Sequence, residues 1–228
     1  MKYLSLPAFV GLAALLGLTA CSSLNRTTDS SAIELFNGKD LAGWKPVLAD
    51  AQVQPATVWS VKDGLIVCRG TPVGFLYSER EFTNFRLVVE YRWAPGSEAG
   101  NSGIFSRIHQ PFSAIPSCAE TQLKHGSAGD ILTLQGMKLT ADQPRYFFVK
   151  NHALAGDICG VKKLEDKENP PGQWNRVEIL AQGPKYTVWI NGRKVNEAEG
   201  VDVVAGPVGL QSEGGEIHFR RATLTPLP

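Results

Sequence analysis

The sequence predicts an all-β fold, a sandwich or jelly roll of two sheets, and three observations support this class. From residue 33 onward, short runs rich in β-branched and aromatic residues alternate with turn signals. Beyond residue 20, no stretch repeats apolar residues at the i, i+3, i+4 spacing of an amphipathic helix. The 228-residue chain also contains 23 glycines and 14 prolines, which interrupt long helices.

The clearest predicted strand is Phe85–Trp93, because all its odd positions are apolar and should face the core. Asn191-Gly192 is the strongest turn signal and should join two further strands. Surface loops are expected at 110–119, 135–145 and 162–172. The expected strands are Val58–Val61, Gly64–Arg69, Phe75–Ser78, Phe85–Trp93, Gly103–His109, Glu120–Lys124, Ile131–Leu134, Tyr146–Val149, Asn175–Ala181, Tyr186–Ile190, Arg193–Glu197, Val208–Ser212 and Glu216–Thr225.

Residues 1–20 have the pattern of a signal peptide, and residues 21–32 that of a polar, flexible tether. A basic start precedes an apolar run that is too short to span a bilayer. Leu18-Thr19-Ala20-Cys21 resembles a bacterial lipobox, which implies cleavage before Cys21 and lipid on its sulfur. An ordinary signal peptide with an incidental cysteine is the alternative. We expect a lipid-anchored protein of the bacterial cell envelope, on the outer membrane and facing the periplasm, because Ser22 is not aspartate.

The charge pattern excludes several classes of partner. The net charge is +1, with both signs mixed along the chain. No basic stripe indicates a nucleic acid, and no further apolar segment indicates a membrane span. We therefore expect a small or neutral partner such as a carbohydrate, with membrane contact through the lipid alone.

The cysteines and histidines do not predict a metal centre or a thiol enzyme. Without Cys21, three cysteines remain, and Cys118 with Cys159 is the expected disulfide because both lie in Gly/Pro/Ser-rich surroundings. Cys68 should be a buried thiol. The four histidines are scattered and have no zinc-ligand spacing. A divalent metal is possible as a cofactor, but the sequence fixes no site for it.

Strand alternation groups polar residues that suit a sugar. Asn101, Gly103, Phe105 and Arg107 should share one face, and so should Glu120, Gln122 and Lys124. Amides, carboxylates and guanidinium groups bind hydroxyls, and aromatic rings pack on C–H faces. The alternative is structural: an ion pair between Arg107 and Glu120, and at least three of the five tryptophans in the core. Further candidates are Glu90, His125, Asp130, Trp189, Asn191 and Gln211.

Six segments, in order, resemble the 3-keto-disaccharide hydrolase family, or 3-keto-glucoside 1,2-lyase/hydratases, formerly domain of unknown function 1080. The resemblance covers residues 33–227 and implies a concanavalin-like jelly roll of two curved antiparallel sheets over residues 33–228. The sequence departs from the family at Ala119, where the family has glycine. It also departs after the Glu-x-Gln segment, where the family usually has an apolar residue and then Asp or Asn and this chain has Leu123-Lys124-His125-Gly126. The six segments are Leu35–Trp44, Gly100–Ile104 with Arg107, Glu120–Gln122, Gly172–Glu178, Trp189–Gly192 and Gly206–Gln211.

The resemblance implies hydrolysis of 3-keto-glycosides by elimination and rehydration. A C3 ketone acidifies the C2 hydrogen, so a base can remove it while the C1 aglycone leaves, and water then adds. On this hypothesis Glu120 is the base, Arg107 stabilises the enolate, and Gln122 and Gln211 hold hydroxyls. A divalent metal could replace Arg107 as the electrophile. Glu90, Asn101, His125, Asp130, Trp189 and Asn191 complete the expected substrate-binding set.

Two other classes of protein fit the same sequence. A non-catalytic carbohydrate-binding module on a lipid anchor is the leading alternative, because jelly rolls support binding as readily as catalysis. A structural envelope lipoprotein is the other, and it predicts a flat apolar patch in place of a polar groove.

Overall fold

The structure is a computed structural model that describes residues 1, 32–110, 112–142 and 144–228. The predicted signal peptide, Cys21 and nearly all of the tether lie outside the described residues. No helix of the described residues is long and apolar enough to cross a membrane. The elements are β1 Ile33–Glu34, β2 Trp44–Leu48, a 3₁₀ turn Pro55–Thr57, β3 Trp59–Lys62, β4 Leu65–Cys68, β5 Gly74–Ser78, β6 Phe85–Trp93, β7 Gly103–His109, β8 Ser117–Gln122, β9 Ile131–Leu134, β10 Tyr146–His152, β11 Gly156–Val161, β12 Asn175–Gln182, β13 Lys185–Ile190, β14 Arg193–Ala198, β15 Gly209–Ser212 and β16 Ile217–Pro226.

The strands form two eight-stranded antiparallel sheets, so the predicted all-β jelly-roll sandwich is confirmed. Sheet I has the order β14-β13-β12-β6-β16-β4-β3, with β1 paired to β16. Sheet II has the order β10-β11-β9-β8-β7-β15-β5-β2. Neighbours in this order are often distant in sequence, and β15 brings Gly209–Ser212 beside β7. This non-local pairing assembles the candidate site.

The main core lies between the two sheets, as the alternation in β6 predicts. Each of its odd positions, from Phe85 to Trp93, is at most 1% exposed. Tyr186 of sheet I crosses the core, and its hydroxyl lies 3.0 Å from Ser106 Oγ and 3.1 Å from Thr121 Oγ1 of sheet II. Trp44, Trp59 and Trp93 are buried, which confirms that three tryptophans belong to the core.

A second apolar cluster covers part of the other face of sheet II, the one turned away from sheet I. Segments outside the sheet pack on this face, including residues 112–115 and the β10–β11 turn. The face is therefore partly covered rather than open to solvent, and the cluster supports one side of the candidate site. Its buried members are Phe75, Phe105, Ile108, Ile115, Cys118, Leu134 and Ala155.

Several strands differ from the prediction, and β2, β8 and β11 are the clearest cases. β2 contains Pro46, which is tolerated because β2 is an edge strand of sheet II. β11 contains two glycines, and at Gly160 a Cβ would collide with the Phe147 ring. β8 begins at Ser117, inside the segment predicted as a loop.

The expected Cys118–Cys159 disulfide is wrong for this fold, because all three described cysteines are free. Cys118 pairs with Leu134 and Cys159 with Thr133, so β9 lies between the two cysteines. Strands two positions apart are separated by about 9.6 Å, whereas a disulfide needs Cα atoms within about 6.8 Å.

Candidate functional site

A groove of about 280 Å³ lies on the face of sheet II turned away from sheet I. Polar residues from β8, from the ends of β7 and β15 and from the end of β10 line this groove. Apolar residues from β9, from β11 and from the β10–β11 turn complete it. The lining residues are Asn101, Ile115, Glu120, Gln122, Lys124, Leu132, Leu134, His152, Leu154, Ala155, Ile158, Gln211 and Glu213.

Glu120 is the most unusual residue of this groove. It is 2% exposed, and its Oε1 atom has no hydrogen-bond partner. A Cβ at Gly103 would overlap Glu120 Oε1 and stand 3.0 Å from Gln211 Oε1. The missing side chain at Gly103 therefore leaves the space that the carboxyl group of Glu120 occupies.

Two amide oxygens join Glu120 as unpartnered acceptors. Gln211 Nε2 donates to Glu213 Oε2 at 2.7 Å, which leaves Gln211 Oε1 free. Asn101 Oδ1 is likewise buried without a hydrogen-bond partner. We call Asn101, Glu120 and Gln211 the acceptor end of the groove. A buried acceptor without a donor costs about 1–3 kcal/mol, so this end requires a ligand or water that donates hydrogen bonds.

Burial and charge raise the pKa values of the two carboxyl groups of the groove, Glu120 and Glu213. Burial is the main cause that raises the pKa of Glu120 well above its usual 4.5, and repulsion from Glu213 adds to it. Burial also raises the pKa of Glu213, against the effect of the hydrogen bond from Gln211 and the charges of His152 and Lys124. Two carboxylates with raised pKa values in one cleft are typical of a functional site.

Four of the predicted residues converge in the groove: Asn101, Glu120, Gln122 and Gln211. His125 lines a neighbouring cavity of about 530 Å³, which shares Asn101, Lys124 and Glu213 with the groove. The His125 ring lies 3.0 Å from Glu168 Oε2, and the side chain of Glu168 is 2% exposed. The loop that carries Glu168 thus holds His125 at the edge of the site.

Arg107 does not meet Glu120, so the predicted pairing of the two residues is wrong. The register of β7 shifts after Ser106, and Arg107 has φ +55°, which ends the strand alternation. Its guanidinium donates to the carbonyl oxygens of Thr83 at 2.9 Å, Gly183 at 2.8 Å and Asp202 at 3.0 Å. Arg107 is fully buried and supports the fold; it does not line the groove.

Four other predicted substrate-binding residues lie away from the groove. Glu90 bonds Arg220, and Trp189 pairs with Glu178, on the outer face of sheet I. The side chain of Asn191 closes the β13–β14 turn by bonding Arg176 N and Lys167 O. Asp130 is buried and binds Lys162 Nζ at 2.7 Å.

Sequence reasoning left three polar residues of the groove outside the predicted site. Alternation places Lys124 on the face of Gln122 and Glu213 on the face of Gln211, but neither residue received a role in the predicted site. His152 belongs to the β10–β11 hairpin, whose second strand the sequence does not reveal. Its Nδ1 atom accepts from Leu154 N at 3.4 Å and Ala155 N at 3.2 Å, so a neutral ring carries its hydrogen on Nε2.

The groove offers two carboxylates and two amide oxygens, and oxygen atoms of these types are the ligands that hard divalent cations prefer. However, the described residues contain no group of three or more His, Cys, Asp and Glu side chains that could hold a metal ion. The divalent metal therefore stays a prediction.

The profile of the 3-keto-alpha-glucoside-1,2-lyase-like domain matches residues 31–225, so the chain belongs to this family. Family membership, as expected from the sequence motifs, connects the protein with carbohydrate chemistry. A comparison with curated proteins finds no match.

Three solved structures illustrate the likeness of the fold. A proposed glycosyl hydrolase of Parabacteroides distasonis has TM-score 0.62 and 20% identity, over 87% of this chain and 94% of that one. The carbohydrate-binding module CBM66 of Bacillus subtilis has TM-score 0.53 and 17% identity, over 80% and 95%. The β-glucanase of Bacillus licheniformis has TM-score 0.55 and 10% identity, over 86% and 99%. At these identities the likeness supports the concanavalin-like fold alone.

Replacing Arg107 by methionine should destabilise the protein and spare the groove. The variant leaves three partly buried carbonyl oxygens without the hydrogen bonds that Arg107 donates, which should cost about 3 kcal/mol in urea unfolding. Arg69→Met is the matched control, because the Arg69 side chain is 64% exposed; it should change stability by less than about 0.5 kcal/mol. Equal stability of the two variants would contradict a structural role for Arg107.

Replacing Glu120 by glutamine should stabilise the protein at pH values above the raised pKa of Glu120. The raised pKa means that the folded state loses stability as pH rises from about 4.5 through that pKa, because a buried charge must form. Glu120→Gln removes this loss, so its advantage over wild type should be absent at about pH 4 and on the order of 1 kcal/mol or more above the raised pKa. Urea unfolding of both proteins at the two pH values measures this difference in stability. A difference that is the same at both pH values contradicts the raised pKa of Glu120.

Proposed function

We propose that this protein cleaves 3-keto-glycosides by eliminating the C1 aglycone and then adding water to the unsaturated sugar. One observation carries the proposal: a buried carboxyl group, Glu120, stands unpartnered over Gly103 in a groove with free amide oxygens. Family membership supplies the reaction class. The lipid anchor at Cys21 belongs to the same proposal and would hold the domain at the outer membrane.

Glu120 acts as the base in the elimination. The C3 ketone makes the C2 hydrogen acidic, and the Glu120 carboxylate takes that proton to form an enolate. The enolate then re-forms the ketone as the C1–O bond breaks, and the aglycone oxygen takes up a proton that balances the one removed from C2, so Glu120 returns to its carboxylate form. Addition of water across the C1–C2 double bond completes a net hydrolysis.

The raised pKa suits this role. A base is most effective when its pKa lies near the working pH, because it is then both deprotonated and strong. Burial and the charge of Glu213 raise the pKa of Glu120 above its usual 4.5. Glu213 therefore raises the pKa of the base and also orients the amide of Gln211.

The cationic and donor groups of the groove replace Arg107 in stabilising the enolate. Lys124 lines the groove and carries a positive charge, which stabilises a developing oxyanion in a partly dry site. The Nε2 hydrogen of a neutral His152 is a further donor in the groove. The free oxygens of the acceptor end accept hydrogen bonds from sugar hydroxyls, which removes the cost of leaving those oxygens unpaired.

Carbohydrate binding without catalysis is the second candidate. The same free acceptors would hold a sugar that is not cleaved, and the fold resembles that of a carbohydrate-binding module. Release of the aglycone separates the two candidates, because only the enzyme produces it.

Glu120→Gln should abolish cleavage of a 3-keto-glucoside that carries a chromogenic aglycone. The amide keeps the shape of the side chain and cannot take the C2 proton, so kcat should fall about 10²–10⁴-fold. Glu90→Gln is the matched control, a carboxylate on the outer face of sheet I, and it should retain wild-type turnover.

Two results would contradict the proposal. If the Glu120→Gln variant retains full activity, Glu120 is not the base. Equally fast cleavage of the parent glycoside without the ketone indicates an ordinary glycosidase, which needs no acidified C2 hydrogen.

A further inference from the structure

The groove is divided into two chemically different ends. The acceptor end, Asn101, Glu120 and Gln211, lies on and beside β8, β7 and β15. The other end lies beside β9 and β11, which follow β8 in the order of sheet II. We call it the apolar end, and it consists of Ile115, Leu132, Leu134, Leu154, Ala155 and Ile158.

The apolar end is built from braced segments. Gln135 Nε2 donates to Ile115 O at 3.0 Å and to Leu154 O at 2.8 Å, which ties the two peripheral segments together. His152 Nδ1 accepts from the backbone of the turn that carries Leu154. Leu154 is 56% exposed, although its backbone is fixed on both sides. Because about half of this leucine side chain is exposed to water, an apolar ligand that covers it would bind with a favourable free energy.

Ile115 and Leu134 are buried apolar residues that line the same end of the groove as Leu154. Both are less than 5% exposed and belong to the second apolar cluster. Their side chains offer neither donors nor acceptors, so hydroxyl groups placed there would lose hydrogen bonds to water. The apolar end is therefore unsuited to a second sugar ring.

We infer that the apolar end is the aglycone subsite and that it takes an aromatic or alkyl aglycone. This inference rests on the proposed function, which places the keto sugar at the acceptor end. C1 is bonded to C2, the carbon that Glu120 deprotonates, so the leaving group extends from the sugar into the adjacent part of the groove. A ligand with a hydroxyl-rich ring and an apolar substituent matches the groove from end to end.

The neighbouring cavity is the competing place for the aglycone. It contains Glu98, Lys124, His125 and Glu213, so it suits a polar leaving group such as another sugar. The two locations predict opposite substrate preferences, which makes the choice testable.

The test compares two 3-keto-glucosides, one with a phenyl and one with a glucosyl aglycone, on Leu154→Asn. We expect kcat/KM for the phenyl substrate to fall roughly tenfold, as expected for losing one apolar contact in a pocket, with little change for the glucosyl substrate. Leu164→Asn is the matched control, because Leu164 is 60% exposed and lies outside the groove; it should alter neither value. Equal losses on both substrates, or no loss on either, overturn the inference.

A binding measurement separates this inference from the reaction itself. Calorimetry with phenyl glucoside and methyl glucoside on the Glu120→Gln protein requires no turnover. Tighter binding of the phenyl compound, lost in the Glu120→Gln, Leu154→Asn double variant, supports the apolar subsite even if no 3-keto-glycoside is cleaved. Equal affinity for the two compounds overturns it, even if cleavage is observed.

Discussion

A carboxyl group buried without a partner is the constraint on which the rest of this structure depends. Burying a charge that is neither paired nor hydrogen-bonded costs several kcal/mol, so Glu120 either keeps its proton or obtains a ligand. In the described fold Glu120 Oε1 has no hydrogen-bond partner, and Gln211 Oε1, also unpartnered, lies beside the same space above Gly103. The protein is therefore less stable than an amide at this position would make it, which is common at functional sites.

The fold maintains this arrangement by fixing the elements around it. β7, β8 and β15 meet in sheet II although they are far apart in sequence, and together they place Glu120, Gly103 and Gln211 side by side. Arg107 is fixed on three carbonyl oxygens, where β7 leaves regular alternation. Glu168 accepts from Tyr91 Oη, Trp93 Nε1 and Gly126 N and holds His125 at the edge. The side chains of Arg107, Glu168 and His125 are thus held in place by the fold itself.

Much of the fold could be predicted from sequence, because period-two patterns such as that of β6 directly report a buried face. The residues of the acceptor end were also within reach, since each lies on or beside a strand with readable alternation. The position of Arg107 could not be predicted from the sequence, because a register shift and a positive φ move its side chain off the face that the alternation pattern assigns. Trp189 and Glu90 have suitable chemistry, but the sequence does not tell which sheet a strand joins. His152 and Leu154 depend on β11, whose glycines hide the strand.

The most direct test of this account is a carbon-13 NMR titration of the Glu120 side-chain carboxyl group in the folded protein. The account predicts a midpoint well above the usual 4.5, with a downward shift when Glu213 is replaced by glutamine, because one source of repulsion is removed. A Glu120 midpoint at or below 4.5 would mean that the carboxylate is solvated or paired in solution. The base, the tuning by Glu213 and the free acceptor end would then all be wrong.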